Sequence, residues 1–208
     1  MPFRLPRVYP LTDVVISGLS HAEQVKRLVA GGATIIQLRE KSMAAGDFYD
    51  EAKAAVDIAR KAGIRLIIND RVDIALALGA DGVHLGQDDL PVEAARALLG
   101  PDAIIGLSTH NMQQAEKALK LPVNYIALGP IFTTGTKSNP APEVGLSRLQ
   151  QISKVLDGIP LVAIGGITPK NATDVIASGA NSVAQISFLL SDPAATTYRL
   201  ADLLRQLT

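Results

Sequence analysis

Seven of the eight apolar runs in this sequence end in polar or glycine-rich residues, and these endings differ from run to run. They supply carboxylates, cations, amides, hydroxyls and backbone N–H groups: Thr12-Asp13, Gln37-Leu38-Arg39-Glu40-Lys41, Asn69-Asp70-Arg71, Gly86-Gln87-Asp88-Asp89, Ser108-Thr109-His110, Gly129-Pro130 and Gly165-Gly166. Each ending is followed by a segment of helical character and then by another apolar run. A (β/α)8 barrel builds its active site from the carboxyl ends of its strands. The pattern therefore predicts an enzyme.

Eight short strands alternate with helices in the predicted fold, an order typical of parallel sheets. The strands are expected at 7–12, 33–38, 65–68, 82–85, 103–107, 124–128, 161–164 and 182–186. We predict one α/β domain, a (β/α)8 TIM barrel that spans residues 1–208. A doubly wound open sheet would use the same alternation, but the count of eight strands favours a closed barrel.

The composition agrees with this fold. The chain is 48% hydrophobic but only 4% aromatic, so aliphatic residues must fill the core, as in parallel sheets covered by helices. The formal net charge is zero, which favours neither nucleic acid nor a membrane as a partner. Cysteine is absent, which excludes disulfides and a thiol nucleophile. With no apolar run near ~18 residues and no signal-peptide core at the start, we expect a cytoplasmic protein.

The connection after the sixth strand is long for a βα loop and rich in hydroxyl groups. Residues 131–140 contain one glycine, Gly135, and one cation, Lys137. Long polar loops on the catalytic face of a barrel often serve as lids or bind anions. We expect one of these functions here, although the loop could also be a solvated connection without a role.

Six motifs stand out along the sequence: Gln37-Leu38-Arg39-Glu40-Lys41, Asn69-Asp70-Arg71-Val72-Asp73, Gly82-Val83-His84-Leu85-Gly86-Gln87-Asp88-Asp89, Gly106-Leu107-Ser108-Thr109-His110, the segment 127–137 and Val162-Ala163-Ile164-Gly165-Gly166-Ile167. Together they resemble the motifs of the thiamin phosphate synthase family. They cover essentially the whole chain in the expected order. The resemblance implies a TIM barrel that uses Mg²⁺ as a cofactor and forms a small homo-oligomer. It also implies a transferase that joins 4-amino-2-methyl-5-hydroxymethylpyrimidine diphosphate to thiazole phosphate, giving thiamin monophosphate and diphosphate.

The implied reaction needs stabilisation of a leaving group rather than a strong nucleophile on the protein. Diphosphate leaves from a benzylic-type carbon, and the aminopyrimidine delocalises the positive charge of the resulting carbocation, which the thiazole nitrogen attacks. Arg39, Lys41 and Lys137 are the implied catalytic cations, and Arg39 can hold phosphate oxygens bidentately. Asp70 and Asp89 are implied to hold Mg²⁺, with substrate phosphate as a further ligand.

The resemblance also assigns the remaining site residues. Those implied to bind the pyrimidine diphosphate are Gln37, Leu38, Arg39, Glu40, Lys41, Asn69, Ser108 and Lys137. Those implied to bind the thiazole phosphate are Thr134, Gly135, Thr136, Gly166, Ile186 and Ser187. A phosphate site between the loops after strands 7 and 8 is common in TIM barrels. Glu40 should point away from its charged neighbours and form a structural salt bridge.

Several residues have structural alternatives. Asp70 could be the N-cap of the helix after strand 3, and Asp89 could favour the dipole of the next helix, although one ion could satisfy both carboxylates. His84 should find its partners either in the barrel interior or in a contact with a helix. His21 is expected on a helix surface without a role, whereas His110 could either anchor a loop or transfer a proton.

Two other functions remain open. A thiazole tautomerase of the same fold would move a proton with a histidine and would need neither Mg²⁺ nor a diphosphate site. The paired aspartates and three cations favour the synthase. A non-catalytic regulator that binds thiamin precursors is the third possibility, but no DNA-binding motif supports it. Strand 8 departs from the family pattern at Gln185 and Phe188, and Gln185 could either reach the phosphate pocket or find a buried partner.

Overall fold

Eight parallel strands form one sheet in the computed structural model, which describes residues 4–135, 141–156 and 158–208. They are β1 (Val8–Pro10), β2 (Ile35–Leu38), β3 (Arg65–Asn69), β4 (Gly82–Leu85), β5 (Ile104–Thr109), β6 (Tyr125–Leu128), β7 (Leu161–Ala163) and β8 (Ser182–Gln185). Neighbouring strands pair in the order β1-β8-β7-β6-β5-β4-β3-β2. A parallel bridge between Leu11 and Gln37 closes the ring. The predicted (β/α)8 barrel is confirmed.

Helices connect the strands and cover the outside of the barrel. They are α1 (Val14–Ser17), α2 (His21–Ala30), α3 (Ala45–Ala62), α4 (Val72–Leu78), α5 (Val92–Leu99), α6 (Met112–Ala118), α7 (Gly145–Val155), α8 (Pro169–Ala177), α9 (Ser187–Leu190) and α10 (Thr196–Leu207). A short 3₁₀ turn, Pro193–Ala195, precedes α10. In the part of the chain that the structure describes, no helix combines the length and the apolar character that a membrane span needs.

Apolar side chains pack in two clusters, one on each face of the sheet. The larger lies between the strands and the helices, and the smaller fills the barrel interior with Tyr9, Leu11, Ile35, Ile67, Ile104, Tyr125, Ala127, Val162 and Ala184. Successive side chains of a strand point to opposite faces. Gln37, Asn69 and Ser108 each follow an outward-facing residue, so their side chains point into the barrel near its carboxyl end.

Candidate active site

A cation and two carboxylates meet at the carboxyl ends of β2, β3 and β4. The ammonium of Lys41, which follows β2, forms an ion pair with the carboxylate of Asp70, which follows β3. The carboxyl group of Asp70 also interacts with that of Asp89. Asp89 follows β4, and its Oδ2 accepts a hydrogen bond from the backbone N–H of Gly86 at 2.6 Å. These residues are distant in sequence and are brought together by the order of the strands.

Asp70 has a left-handed backbone with a φ of 61°, which no other non-glycine residue in the described ranges shares. Its N–H donates to the carbonyl of His84 at 2.8 Å, and the N–H of Arg71 donates to the carbonyl of Asn69 at 2.7 Å. The helix α4 starts only at Val72, with Arg71 at its N-cap, so the alternative that Asp70 caps this helix is wrong. Backbone strain of this kind is concentrated at functional sites.

The electrostatics of the two carboxylates fit a divalent cation. Burial raises the pKa of Asp89, and the negative charge of Asp70 raises it further, which together outweigh the hydrogen bond from Gly86. Two carboxylates that repel one another are stabilised when a cation binds between them. Among residues 4–135, 141–156 and 158–208 no group of three or more His, Cys, Asp and Glu side chains forms a metal-binding cluster. A cation here would therefore take further oxygen ligands from water or substrate, as Mg²⁺ usually does.

Asn69 adds a hydrogen-bond donor that the protein does not use. Its residue is 7% exposed, and its Nδ2 has no hydrogen-bond partner in the described structure. A buried donor without an acceptor costs about 1–3 kcal/mol, and at the carboxyl end of β3 a bound ligand can supply the missing acceptor. Asn69 ends β3 on the inner face and immediately precedes Asp70, which places this donor beside the carboxylates.

The two cations that follow β2 have separate partners. Arg39 forms an ion pair with Asp13, the N-cap residue of α1, and both side chains are largely buried. The side chain of Lys41 is 52% exposed, although its ammonium contacts Asp70. Arg39 is therefore fixed in place by a carboxylate, whereas Lys41 has room to turn towards a bound anion.

Glu40 fixes the conformation of the loop after β2. Its Oε1 accepts hydrogen bonds from the backbone N–H groups of Lys41, Ser42 and Met43 at 2.7, 2.6 and 3.1 Å. Its Oε2 lies 3.3 Å from Nε2 of His21. Burial alone would raise the pKa of Glu40, but the hydrogen bonds of the loop outweigh it and hold the pKa at about 2. The carboxylate therefore stays charged and positions the segment that carries the cations.

His21 is fully buried, so the expectation that it lies on a helix surface is wrong. It shares the buried face of α2 with Gln24, Val25 and Leu28. Its Nδ1 lies 2.7 Å from Oγ1 of Thr12, which also accepts the backbone N–H of Arg39 at 3.2 Å. Burial lowers the pKa of His21 against the opposing effect of the nearby carboxylates. Through these contacts His21 supports the loop after β2. Its helical spacing from the other buried residues of α2 is the sequence signal that indicates its buried position.

Gln37 and Ser108 face the barrel interior, whereas Leu38 does not. Nε2 of Gln37 donates to the hydroxyl of Tyr9 at 3.3 Å, and Oγ of Ser108 lies 2.9 Å from Nε2 of His84. The partners of His84 therefore lie inside the barrel, the first of the two environments expected for it. Leu38 is fully buried in the cluster between strands and helices. Its side chain is not brought to the mouth of the barrel with the other predicted residues.

The residues predicted to bind the thiazole phosphate follow β6, β7 and β8. Thr134 and Gly135 follow β6, Gly166 follows β7, and Ile186 and Ser187 follow β8. The predicted binding residue Thr136 and the predicted catalytic residue Lys137 lie outside the described residues. The described members form the opposite side of the barrel mouth from the carboxylates, since β6 to β8 lie across the ring from β2 to β4.

The turn after β7 packs directly on the segment after β6. Gly165 and Gly166 have φ angles of 97° and 65°. A Cβ on Gly166 would overlap the carbonyl of Thr133 and the side chain of Phe132. The N–H of Phe132 also donates to the carbonyl of Gly165 at 3.1 Å. Glycine is required here both by the backbone conformation and by the close approach.

Two further side chains tie these loops to the barrel. Gln185 is buried on the outer face of β8, and its Nε2 donates to the carbonyl of Ile167 at 3.3 Å. It therefore has a buried partner, the second of the two alternatives considered for it. Nδ1 of His110 donates to the carbonyl of Gly129 at 2.6 Å and so joins the ends of β5 and β6. This contact corresponds to loop anchoring, the first of the two roles considered for His110.

Comparison with known proteins adds a third line of evidence. The family model described as thiamine monophosphate synthase matches residues 8–189. A thiamine-phosphate synthase of Clostridium novyi is 44% identical over 187 residues, which cover 89% of this chain and 91% of that protein. One of Koribacter versatilis is 46% identical over 197 residues, which cover 91% and 92%. The solved structure of a thiamine phosphate pyrophosphorylase from Pyrococcus furiosus has a TM-score of 0.85 at 33% identity, covering 97% of this chain and 96% of that one.

These matches include every strand that contributes to the mouth of the barrel and all the described site residues. The motifs, the fold and the relatives agree with one another, and the relatives are enzymes of the transferase class. The chain therefore belongs to the thiamine monophosphate synthase family.

Proposed function

We propose that this enzyme joins 4-amino-2-methyl-5-hydroxymethylpyrimidine diphosphate to thiazole phosphate and releases diphosphate and thiamine monophosphate. The observation that carries the proposal is the cluster at the ends of β2, β3 and β4. There Asp70 and Asp89 meet the ammonium of Lys41 beside the unpartnered amide of Asn69. A departing diphosphate needs positive charge and hydrogen-bond donors around its oxygens. This cluster offers a cation, a donor and a place for a metal ion.

We assign Asp70 and Asp89 as the protein ligands of Mg²⁺. When bound, this cation supplies positive charge that stabilises the leaving diphosphate. The exposed Lys41 side chain can exchange its contact with Asp70 for a phosphate oxygen once the carboxylate is otherwise neutralised. Asn69 donates its free N–H to the same group without adding charge.

Arg39 and Lys137 complete the proposed set of cations. The guanidinium of Arg39 is oriented by Asp13, and Arg39 precedes Lys41 by two residues in the segment after β2. Lys137 is assigned from its position in the segment after β6. The protein needs no general base, because the aminopyrimidine itself delocalises the positive charge that diphosphate leaves behind. The thiazole nitrogen then attacks this carbon, and the positions of the two substrates set the rate of that step.

We place the thiazole phosphate between the turn after β7, the start of α9 and the segment Thr134–Gly135. Gly166 contributes its backbone, and Ser187 contributes a hydroxyl group. TIM barrels commonly bind phosphate between the loops after strands 7 and 8. The direct contact of Gly166 with Phe132 and Thr133 supports this placement, because it holds two of the proposed binding segments together.

Gly166→Ala is expected to raise the KM for thiazole phosphate by about tenfold or more, while the KM for the pyrimidine diphosphate changes less than twofold. The added methyl group forces the turn after β7 away from Thr133, in addition to the strain of a positive φ. Steady-state kinetics with each substrate varied in turn would measure this.

Gly63→Ala is the matched control for that variant. Gly63 has a φ of 68°, close to that of Gly166, but a Cβ there would meet no atom within 4 Å. Gly63 is the C-cap of α3, far from the proposed thiazole site. The Gly63→Ala variant therefore has the backbone strain of a positive φ without the steric overlap. Identical KM values for thiazole phosphate in the two variants would contradict the proposed placement.

Product identification tests the proposed function against its two alternatives. The purified chain is supplied with both substrates and Mg²⁺, and the products are followed by mass spectrometry. Thiamine monophosphate is the expected product. Deuterium exchange into a thiazole carboxylate phosphate, without thiamine monophosphate, would instead identify a tautomerase. Binding of both substrates without turnover would identify a non-catalytic regulator, and either result would reject the synthase.

A further inference from the structure

A chain of buried polar side chains crosses the interior of the barrel. Nε2 of Gln37 lies 3.3 Å from the hydroxyl of Tyr9, which lies 3.0 Å from that of Tyr125. The hydroxyl of Tyr125 lies 2.9 Å from Nδ1 of His84, and Nε2 of His84 lies 2.9 Å from Oγ of Ser108. Five strands each contribute one residue. The two ends of the chain are both residues that we assign to the pyrimidine substrate.

The three middle members are buried, and their polar atoms contact one another. His84 is 6% exposed, and its two ring nitrogens have hydroxyl partners on Tyr125 and Ser108. Burial raises the pKa of Tyr9 and of Tyr125 above the usual range, so both phenols keep their protons. TIM-barrel interiors are usually filled by branched aliphatic residues. Buried polar groups that replace them need satisfied hydrogen bonds, and a complete network of this kind fixes one arrangement of its members.

The barrel makes room for this chain at Gly106. A Cβ at that position would overlap the ring of Tyr125 and approach Nδ1 of His84. The ring of Tyr125 stacks on the imidazole with centroids 5.4 Å apart and an interplanar angle of 23°. It also makes an edge contact with Tyr9, with centroids 5.7 Å apart and an angle of 80°. The three rings therefore hold one another in a single arrangement.

The order of protons along the chain follows from its donors. Nε2 of Gln37 can only donate, so the oxygen of Tyr9 accepts from it and the Tyr9 hydroxyl donates to Tyr125. The Tyr125 hydroxyl then donates to Nδ1 of His84. Because Nδ1 accepts, it carries no proton, so the single N–H of this imidazole is on Nε2 and donates to Ser108. The opposite order would direct two donors at the Tyr9 oxygen and leave the Tyr9 proton without an acceptor in the chain.

We propose that Tyr9, Tyr125 and His84 are positioning residues that make Gln37 an acceptor and Ser108 a donor towards the pyrimidine ring. In this order Gln37 keeps its carbonyl oxygen for a ligand and Ser108 keeps its hydroxyl proton. An aminopyrimidine has the complementary pair, an exocyclic N–H beside a ring nitrogen lone pair. A 4-oxo pyrimidine has the reverse pair, a carbonyl acceptor beside a ring N–H donor. The hydrogen-bond chain therefore selects the 4-amino pyrimidine, an inference that rests on the proposed function.

The variant Tyr125→Phe tests this inference because it removes the central hydroxyl and keeps the ring. We expect its KM for the pyrimidine diphosphate to rise about tenfold, the size of one hydrogen bond's net contribution. The KM for thiazole phosphate should stay within twofold. We also expect the wild-type preference for the 4-amino over the 4-oxo pyrimidine monophosphate, measured as a ratio of dissociation constants, to fall about tenfold. The monophosphates are used because they lack the leaving group.

Ser182→Ala is the matched control. Ser182 is fully buried on β8, and its hydroxyl has no hydrogen-bond partner in the described structure. The Ser182→Ala variant thus loses a buried hydroxyl that is not part of the hydrogen-bond chain. Its kinetic constants and its amino-to-oxo preference should equal those of the wild type. Thermal unfolding of both variants separates a loss of fold from a loss of positioning.

The ¹⁵N spectrum of histidine-labelled protein tests the proton order without any activity. His84, assigned by comparison with His21→Gln and His110→Gln proteins, should be neutral with its proton on Nε2 between pH 6 and 8. A proton on Nδ1 would overturn the proposed order. If the wild type forms thiamine monophosphate but Tyr125→Phe keeps its KM and its amino-to-oxo preference, the inference fails and the proposed function stands. If the wild type forms no product, the proposed function fails, and the assignment of a substrate role to the chain fails with it.

Discussion

Asp89→Asn is expected to lower kcat by about 10² or more and, in the absence of metal, to stabilise the fold at pH 7. The asparagine oxygen can still accept the hydrogen bond from Gly86, so the turn after β4 is kept. The variant loses the negative charge with which Asp70 and Asp89 together would hold Mg²⁺. Removal of that charge also eliminates the cost of burying a carboxylate and its repulsion by Asp70, the two effects that raise the pKa of Asp89.

The pH dependence of this stabilisation has a defined sign. Because the pKa of Asp89 is raised in the folded state, its ionisation opposes folding at every pH above the ordinary range of a carboxyl group, about 3.9 for Asp. The advantage of the variant is therefore largest near neutral pH. It declines as the pH falls towards that range, where the side chain is protonated in both states.

Thermal unfolding with and without Mg²⁺ measures the metal contribution separately from kcat. Mg²⁺ should raise the Tm of the wild type by mass action and leave that of Asp89→Asn unchanged. Asp88→Asn is the control, because Asp88 is an exposed neighbour in the same turn. Asp70→Ala should lower kcat by a similar factor. A wild-type kcat in either the Asp70 or the Asp89 variant would refute the assignment of these residues to the metal.

Lys41→Met should lower kcat by about 10² and change the KM for the pyrimidine diphosphate much less. Lys41 is expected to act on the charge that develops as diphosphate leaves, so its loss affects the transition state more than the bound substrate. Methionine keeps most of the length of the side chain but removes the ion pair with Asp70. The same effect is expected for Lys137→Ala, on the evidence of sequence alone.

Two comparisons make the Lys41 experiment specific. Lys41→Arg keeps the positive charge and should restore kcat to within about tenfold of the wild type, since arginine also binds phosphate. Lys61→Met removes an exposed lysine from the last turn of α3 and should have no effect. If Lys41→Met retained the kcat of the wild type, Lys41 would have no catalytic role and the cluster would lose its cation.

The fold was largely predictable from the sequence because each strand is short, apolar and followed by a distinct motif. The observed strand limits differ from the expected ones by at most two residues. The helices α1 and α9 were not predicted, since four residues are too few to show a helical period. The closure of the barrel by Leu11 and Gln37 follows from the number of strands rather than from any single motif.

The candidate site is predictable from the sequence only where polar or charged residues directly follow a strand. The meeting of Asp70 and Asp89 follows from the adjacency of β3 and β4. Strand alternation indicates that the side chain of Leu38 faces outward, which leaves only its backbone for the predicted contact with the pyrimidine diphosphate. The spacing of the buried residues in α2 likewise locates His21. Both signals were present in the sequence.

The buried hydrogen-bond chain had no such signal. Its contacts depend on the register of separate strands, in which His84 pairs with Gly106 and Gly106 pairs with Tyr125. Each of these residues is unremarkable within its own strand. The register places all three residues at the same level of the barrel, and it is a property of the pairing between strands rather than of any one strand.

The most direct test of this account is the stoichiometry of the proposed reaction. The purified chain is incubated with the pyrimidine diphosphate, thiazole phosphate and Mg²⁺, and both products are quantified over time. The account predicts equal amounts of diphosphate and thiamine monophosphate, which EDTA abolishes and excess Mg²⁺ restores. Product formation that EDTA leaves unchanged would contradict the metal site at Asp70 and Asp89, and the absence of both products with metal present would contradict the synthase itself.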